Sequence, residues 1–200
     1  MKWASVLECM EGRSHSPENN WGQAVQSLAE ELENQLGGKP DLLLAFISPD
    51  YKKYFEAITA ALKARLGGAL IGCSAGGIVG GGQEVEQQSA ISLTGAILPG
   101  VSIKTFHITN DSLPDLDDAP GSWEKLMRIE SSEQPAFILL CDPFSIKIDS
   151  FVQGLDYAFP RMVKIGGLAS GGHKGGENRL ICDDNVYRSG LVGVALSGNI

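Results

Sequence analysis

Two short glycine-rich segments constrain this chain more than any other feature of its sequence. Residues 67–82 contain eight glycines and residues 166–176 contain six, out of 25 glycines in 200 residues. The segments align at an offset of 94 residues, which places IGCSAGG at 71–77 on IGGLASG at 165–171. The same offset places Pro49 of LLLAFISPD on Pro143 of FILLCDPFS. Similarity at one fixed offset predicts two similar structural units.

Each unit shows the same order of predicted elements. An uninterrupted apolar run, at 42–47 and again at 137–141, is typical of a strand that is buried on both faces. A helical pattern follows, then a second apolar run before the glycines, and then an alternating segment such as AISLTGAIL or GLVGVAL. The sequence predicts an α/β fold of two internally duplicated β-α-β-β units with mixed sheets, flanking helices and pseudo-two-fold symmetry.

Three helices are predicted from apolar residues that recur every three or four positions, and a shorter fourth helix is predicted around SWEKLMRIE in the second unit. The first begins at the cap Asn20 and ends before Gly37, and the second ends before Gly67. Their apolar stripes, with that of the third helix, are Val25, Leu28, Leu32 and Leu36; Phe55, Ile58, Leu62 and Leu66; and Ile148, Phe151, Val152 and Leu155.

The predicted organisation has a boundary in the middle of the chain. The segment NDSLPDLDDAPG at 110–121 is acidic, contains two prolines and breaks all periodicity, which is typical of a linker. The first unit then covers residues 1–109 with its N-terminal helix, and the second covers residues 122–200.

The composition excludes several classes of partner. A net charge of −8 and a pI near 4.9 disfavour binding to nucleic acid. We expect no membrane partner and a cytoplasmic location, because no apolar run approaches the length that spans a bilayer. The four cysteines contain no C-x-x-C pair, which favours reduced thiols, most of them in the core.

The motif GCSAG at 72–76 matches the G-x-S-x-G pattern of serine hydrolases and raises the hypothesis that Ser74 is a nucleophile. That pattern needs a helix after the serine, because its N-terminal amides stabilise the oxyanion. The following AGGIVGGG contains five glycines, each of which costs a helix about 1 kcal/mol relative to alanine. Leu168 occupies the equivalent position of the second unit. A hydrolase acting through Ser74 and His173 remains the alternative function.

Known phosphate-binding patterns do not explain the glycines. The G-x-x-x-x-G-K-[ST] pattern is absent, and the dinucleotide pattern G-x-G-x-x-G is not followed by a predicted helix. Two interpretations stay open. Consecutive glycines can present backbone amides to a small anion, or they can form tight turns where backbones pack closely. We expect a positive φ at two or more of Gly76, Gly77, Gly81 and Gly171.

Several longer stretches of the chain resemble one known family. They are MKWAS at the N-terminus, DLLLAFISPDY, LIGCSAGGIVGGGQEVE with SLTGAILPGV after it, and GLVGVALSGN near the C-terminus. Together they resemble the N-terminal half of a FIST domain over essentially the whole chain. Because a C-terminal half normally follows in that family, the resemblance implies that this chain is part of a longer protein.

The resemblance implies a sensory domain of an intracellular signal transduction protein. Such a domain would bind a small ligand, such as an amino acid, and act on a downstream signalling protein or domain. The family supplies no established catalytic residue, and the cofactor stays unknown. Some bacterial relatives are linked to haem and nitric oxide sensing, for which Cys73, His107 and His173 are candidate ligands. Core packing of Cys73 and a strand position for His107 are the alternatives.

We expect the ligand to lie where the two glycine segments line one shared cleft, with Ser74 and Ser170 both facing it. A protein-interaction scaffold without a ligand is a further possibility. No catalytic or metal-binding residue is predicted. The predicted ligand-binding residues are Cys73, Ser74, Ala75, Gly76, Gly77, Gly167, Ser170, Gly171 and His173.

Overall fold

The computed structural model describes residues 1–9, 17–86 and 88–200. Its strands are β1 (Lys2–Cys9), β2 (Leu42–Ile47), β3 (Ala69–Ser74), β4 (Gly77–Gly80), β5 (Gln83–Glu86), β6 (Ala90–Ile97), β7 (Val101–Ile108), β8 (Ala136–Cys141), β9 (Lys164–Leu168), β10 (Leu180–Cys182), β11 (Asn185–Tyr187) and β12 (Leu191–Gly198). Its α-helices are α1 (Pro17–Leu36), α2 (Phe55–Leu66), α3 (Pro120–Met127) and α4 (Ile148–Ala158).

The two large sheets share one strand order. The first sheet runs β1-β6-β2-β3 and continues into β10-β11, and the second runs β7-β12-β8-β9. In each sheet one parallel pair, β2 with β3 or β8 with β9, lies beside antiparallel neighbours. The remaining strands, β4 and β5, form a separate hairpin. The predicted α/β class with mixed sheets is confirmed, whereas internal duplication of the sequence stays a prediction.

The predicted domain boundaries need correction, because the sheets exchange strands. β7 lies within residues 1–109 but pairs with β12 of the second sheet. The β10-β11 hairpin lies within residues 122–200 but extends the first sheet, with Leu180 opposite Cys73. In addition, α3 begins at Pro120, inside the predicted linker 110–121. Residues 110–121 therefore do not separate two independent sheets.

The elements stack in four layers, α/β/β/α. Helices α1 and α2 cover the outer face of the first sheet, and α3 and α4 cover the outer face of the second. The inner faces of the two sheets pack together in a third core. That core contains Leu42, Ile71, Cys73, Ala96, Leu140, Leu180, Val192 and Val194, among others.

This layering explains the uninterrupted apolar run of β2. Leu43, Ala45 and Ile47 face the helices, whereas Leu42 packs in the core between the sheets. Successive side chains of a strand point to opposite faces, so a strand covered on both faces needs apolar residues at every position.

The helix predictions hold with two corrections. Gly37 and Gly67 end α1 and α2 with φ angles of +74° and +69°, and each N–H donates to a carbonyl of the last turn. The start at Asn20 is wrong, because α1 begins at Pro17, whose fixed φ suits a first helical position. Val152 is not part of the buried stripe of α4, since 39% of its surface is exposed.

Equivalent glycines allow the close parallel pairing in both sheets. A Cβ at Gly72 would lie 2.3 Å from the carbonyl oxygen of Ala45, and a Cβ at Gly166 would lie 2.0 Å from that of Leu139. Both pairs of residues are aligned across the parallel strands. Any larger residue at either position would push the two strands apart.

One carboxylate ties the two sheets together. Asp183, at the turn between β10 and β11, accepts hydrogen bonds from the Leu70 N–H and the Lys63 ammonium at 3.1 Å each, and from the Thr105 hydroxyl of β7. Burial raises the pKa of Asp183, but these hydrogen bonds outweigh it and hold the pKa below its usual value.

We expect Gly72→Ala and Gly166→Ala each to lower the free energy of unfolding by about 1–3 kcal/mol, because the added methyl overlaps a backbone carbonyl. The loss should be larger at Gly72, since β3 is held between two strands and cannot shift. Urea denaturation measures both. Gly167→Ala is the matched control, because a Cβ there has no neighbour within 4 Å; a loss in the control equal to that of Gly166→Ala would contradict this explanation.

We expect Asp183→Asn to reduce stability by about 1–2 kcal/mol at pH 7, the scale of hydrogen bonds to a partly solvated charge. A depressed carboxyl pKa stabilises the fold above the unfolded pKa, near 3.9, and this contribution is lost as the pH falls through the folded pKa. The difference between wild type and variant should therefore shrink below about pH 4. Denaturation from pH 3 to 8 tests this, with the exposed Asp184→Asn as control; a difference that does not depend on pH would disprove it.

Candidate functional site

The two glycine-rich segments meet in space. We call residues 75–77 and 169–173 together the glycine junction. The N–H of Gly76 donates to the Ser170 hydroxyl oxygen at 2.9 Å, and the N–H of Ser170 donates to the Ser74 carbonyl at 3.0 Å. Gly171 lies against Pro49, so that a Cβ there would be 2.1 Å from its Cγ. The junction therefore joins the carboxyl ends of β2, β3 and β9, which is where open α/β sheets bind ligands.

An equivalent backbone hydrogen bond is present at the start of each half of the glycine junction. The N–H of Ala75 donates to the Ile47 carbonyl at 3.0 Å, and the N–H of Ala169 donates to the Cys141 carbonyl at 2.8 Å. Each bond extends a parallel strand pair by one residue. Beyond these alanines both segments reach the surface, where Gly76, Gly77, Ser170, Gly171 and His173 are exposed.

Ser74 does not have the surroundings of a nucleophile. The residue is 3% exposed, and its hydroxyl lies 3.3 Å from Asn178 Oδ1 and accepts the N–H of Arg179 at 3.1 Å. Strand β4 follows it at Gly77, where a nucleophile elbow would have a helix. Among the hydrogen bonds of the described residues, none joins Ser74 to His173. The expectation that Ser74 faces an open cleft with Ser170 is wrong for its side chain.

The centre of the buried polar network is Asn178, which no sequence motif pointed to. Its side-chain oxygen lies 3.3 Å from the Ser74 hydroxyl and accepts the Gly172 N–H at 2.9 Å, while its amide nitrogen donates to Asp142 at 2.9 Å. Asn178 and Asp142 are each 1% exposed. Asp142 also accepts a hydrogen bond from the Ser145 hydroxyl. The oxygen of that hydroxyl in turn accepts a hydrogen bond from the Gly190 N–H at 2.8 Å.

The Arg179 side chain stabilises residues 176–178, which precede it in the chain. Its Nη1 donates to the carbonyls of Gly176, Glu177 and Asn178 at 2.9 to 3.1 Å. Burial lowers the pKa of the guanidinium, and the nearby Arg188 lowers it further. An arginine keeps its proton in proteins, so a buried cation lies directly behind residues 176–178.

The backbone amides of the junction are largely satisfied within the chain. The N–H groups of Gly76 and Gly172 bond to Ser170 and Asn178, and that of His173 donates to Glu177 at 2.9 Å. This last bond is the main reason why the pKa of Glu177 is lowered. A nest of several free amides, as the sequence suggested, is therefore not what the junction offers. Its exposed side-chain donors include the Ser170 hydroxyl and the His173 ring.

Two of the three candidate haem ligands, Cys73 and His107, are engaged in packing or hydrogen bonding within the chain. Cys73 is 2% exposed, and burial raises the pKa of its thiol to about 12, so the thiolate is not available. The His107 ring stacks on Tyr187 at 3.6 Å, and its Nε2 lies 2.9 Å from the Ser189 carbonyl oxygen. Among the described residues, no group of three or more His, Cys, Asp or Glu side chains could hold a metal ion.

Two further predictions concern glycines. Gly81 and Gly171 have φ angles of +54° and +91°, which confirms the expectation of positive φ at two of the four named glycines. Gly167, predicted as a ligand contact, lies in the exposed strand β9 and lines a groove beside α4, apart from the contacts that form the junction.

Comparison with known proteins identifies the family. The model of the FIST N domain matches residues 41–200. The chain belongs to the FIST N domain family. Within this FIST N domain chain the matched region begins just before β2 and includes both halves of the glycine junction.

Two mycobacterial relatives show how far the similarity extends. The uncharacterized protein Rv0628c of Mycobacterium tuberculosis is 32% identical over 176 residues, which cover 88% of this chain and 44% of the relative. The uncharacterized protein Mb0898c of Mycobacterium bovis is 28% identical over 178 residues, again 88% of this chain and 44% of the relative. The chain spans less than half the length of these relatives. Within the described residues, none of the helices is long and apolar enough to cross a membrane.

We expect Asn178→Ala to lower the free energy of unfolding by about 2–4 kcal/mol, because it removes the partner of one Asp142 carboxylate oxygen, the acceptor of the Ser74 hydroxyl hydrogen and the acceptor of the Gly172 N–H. Thermal and urea denaturation measure the loss. Asn34→Ala, at an exposed position of α1, is the control and should change stability by less than about 1 kcal/mol. Equal stability of the two variants would show that the network does not hold the junction.

Proposed function

We propose that the glycine junction binds a small anionic ligand, such as the carboxylate of an amino acid, and that the domain acts as a ligand sensor in a signalling protein. The observation that carries this proposal is the meeting of the two glycine segments at the carboxyl ends of the parallel strands, where glycines leave the backbone open to solvent.

The exposed donors of the junction favour an anion. The Ser170 oxygen accepts the Gly76 N–H, so its own hydrogen can be donated outward. The His173 ring lies three residues further along the exposed loop. Lys174 follows it, and Lys52 and Lys174 are close enough to Glu177 to lower its pKa. A ligand carboxylate would accept hydrogen bonds from the hydroxyl and the ring near these two lysines.

The buried network beneath the junction would make the site responsive. Asn178 connects the end of β3, through Ser74, to the end of β8, through Asp142. A ligand that moved residues 170–173 would act on Gly172, which is bonded to the same Asn178 side chain. Ligand binding would in this way change contacts between the two sheets, and a downstream signalling protein or domain would respond to that change.

We expect free amino acids or simple carboxylates to raise the melting temperature of the chain, and Ser170→Ala to weaken binding about 10- to 100-fold, the effect of losing one hydrogen bond to a charged group. A thermal-shift screen followed by calorimetry measures both effects. A ligand at 100 times its dissociation constant adds about 2.7 kcal/mol to stability, which such a screen detects.

One control variant and one blocking variant distinguish an effect on binding from an effect on folding. Ser132→Ala changes an exposed serine far from the junction in sequence and should leave binding unchanged. Gly76→Ala adds a methyl whose nearest atoms are at 3.6 Å, so the fold should tolerate it while the methyl obstructs the site. If no amino acid or carboxylate stabilises the wild-type chain at any concentration in the screen, the proposal is wrong.

A further inference from the structure

The edge of the second sheet at β9 differs sharply from its counterpart in the first sheet. β3 and β9 occupy the same place in the two strand orders, and the close contacts of Gly72 and Gly166 match. Nevertheless Ile71 is fully buried, whereas Ile165 at the equivalent position is 58% exposed. Ile71 packs in the core between the sheets, which includes Leu180 and Cys182 of β10. β10 pairs with the outer edge of β3, while in the described chain the outer edge of β9 pairs with no strand.

The pairing of β3 shows which groups of β9 are open. The N–H of Ser74 donates to the Arg179 carbonyl at 2.9 Å, and the Leu70 carbonyl accepts the N–H of Asp183 at 2.7 Å. Strand residues alternate in the direction of their backbone groups. At an offset of 94 residues the equivalent groups are the N–H of Leu168 and the carbonyl of Lys164, so these point to the open edge.

The side chains of β9 do not protect that edge. Proteins commonly guard an open edge strand with a lysine, a proline or a bulge. Lys164 is the one charged residue of β9, and its ammonium is bonded to Asp156 and to the carbonyls of Phe159 and Met162 instead. Ile165 and Leu168 remain more than half exposed.

An apolar groove continues from this edge toward α4. It has a volume of about 350 Å³. The residues that line it are Leu139, Cys141, Ile148, Val152, Ile165 and Leu168, with Lys164, Gly166 and Gly167. In the first sheet Ile58 of α2, which is equivalent to Val152, is fully buried in one core with Ile181 of β10 and Val186 of β11. The groove therefore lies at the position where the β10-β11 hairpin packs against α2 in the other half of the molecule.

We propose that the β9 edge and this groove are the docking site for an antiparallel β-hairpin. The hairpin belongs to a second α/β region, for which the longer relatives have enough additional polypeptide. The first strand of the hairpin pairs with β9, and its inward apolar side chains fill the groove beside α4. The β10-β11 hairpin is the precedent within the molecule, because it leaves one unit to complete the sheet of the other. Since this chain covers 44% of Rv0628c, that relative contains enough further polypeptide to supply the hairpin. This inference is independent of any ligand at the glycine junction.

Hydrogen exchange tests the docking site on two proteins, this 200-residue chain and full-length Rv0628c. We expect the amides of β9 in this chain to exchange as those of an open edge. The corresponding strand of Rv0628c should exchange at least about ten-fold more slowly, because a paired amide must open before it exchanges. Equal rates in the two proteins would overturn the proposal.

A second measurement distinguishes a hairpin from a second copy of this chain. Sedimentation velocity should show a monomer for wild type and for Ile165→Lys over a wide range of concentrations. Val79→Lys, at a 66% exposed strand position of the β4-β5 hairpin, is the matched control. A dimer that Ile165→Lys abolishes and Val79→Lys preserves would show that β9 pairs between copies, which also overturns the proposal.

Discussion

The packing of the two sheets against each other is the constraint on which the rest of this structure depends. Leu42, Ile71 and Cys73 from the first sheet share a core with Leu140, Val192 and Val194 from the second. Burial of apolar surface is the main favourable term in folding. Because each sheet also carries helices on its outer face, its central strands must be apolar on both sides, and this requirement explains the composition of β2 and β8.

The exchange of β7 and of the β10-β11 hairpin turns this packing into a single unit. Each exchanged segment is close in sequence to one half and pairs with strands of the other. Asp183 links the hairpin to β7 and to Lys63, so charged and polar contacts reinforce the apolar core at the same boundary. Neither sheet is complete without residues from both halves of the chain.

The glycine junction is a consequence of that arrangement. The ends of β3 and β9 lie side by side because the sheets pack together, and Gly171 has no Cβ that would collide with Pro49. A buried network centred on Asn178 fills the space beneath the loops with satisfied polar groups, which are stabilising only when every partner is present. The site is therefore linked to both sheets, and this is the basis for proposing it as a sensor.

Local patterns in the sequence indicated the central strands and most helix ends, because apolar periodicity and glycine stops act over a few residues. The meeting of the two glycine segments was expected from function alone, and the tertiary structure decides it, because it joins residues 94 positions apart. The start of α1 at Pro17 was missed, since a proline and a capping asparagine are both good first-turn signals. Ser74 was expected at a cleft and is buried, because its surroundings come from Asn178 and Arg179, about 100 residues later in the chain. The sequences around Ile71 and Ile165 are similar, so they could not show that Ile71 is buried and that Ile165 is exposed. Only the tertiary structure decides which strand edge receives a hairpin, since that pairing joins residues that no local pattern relates.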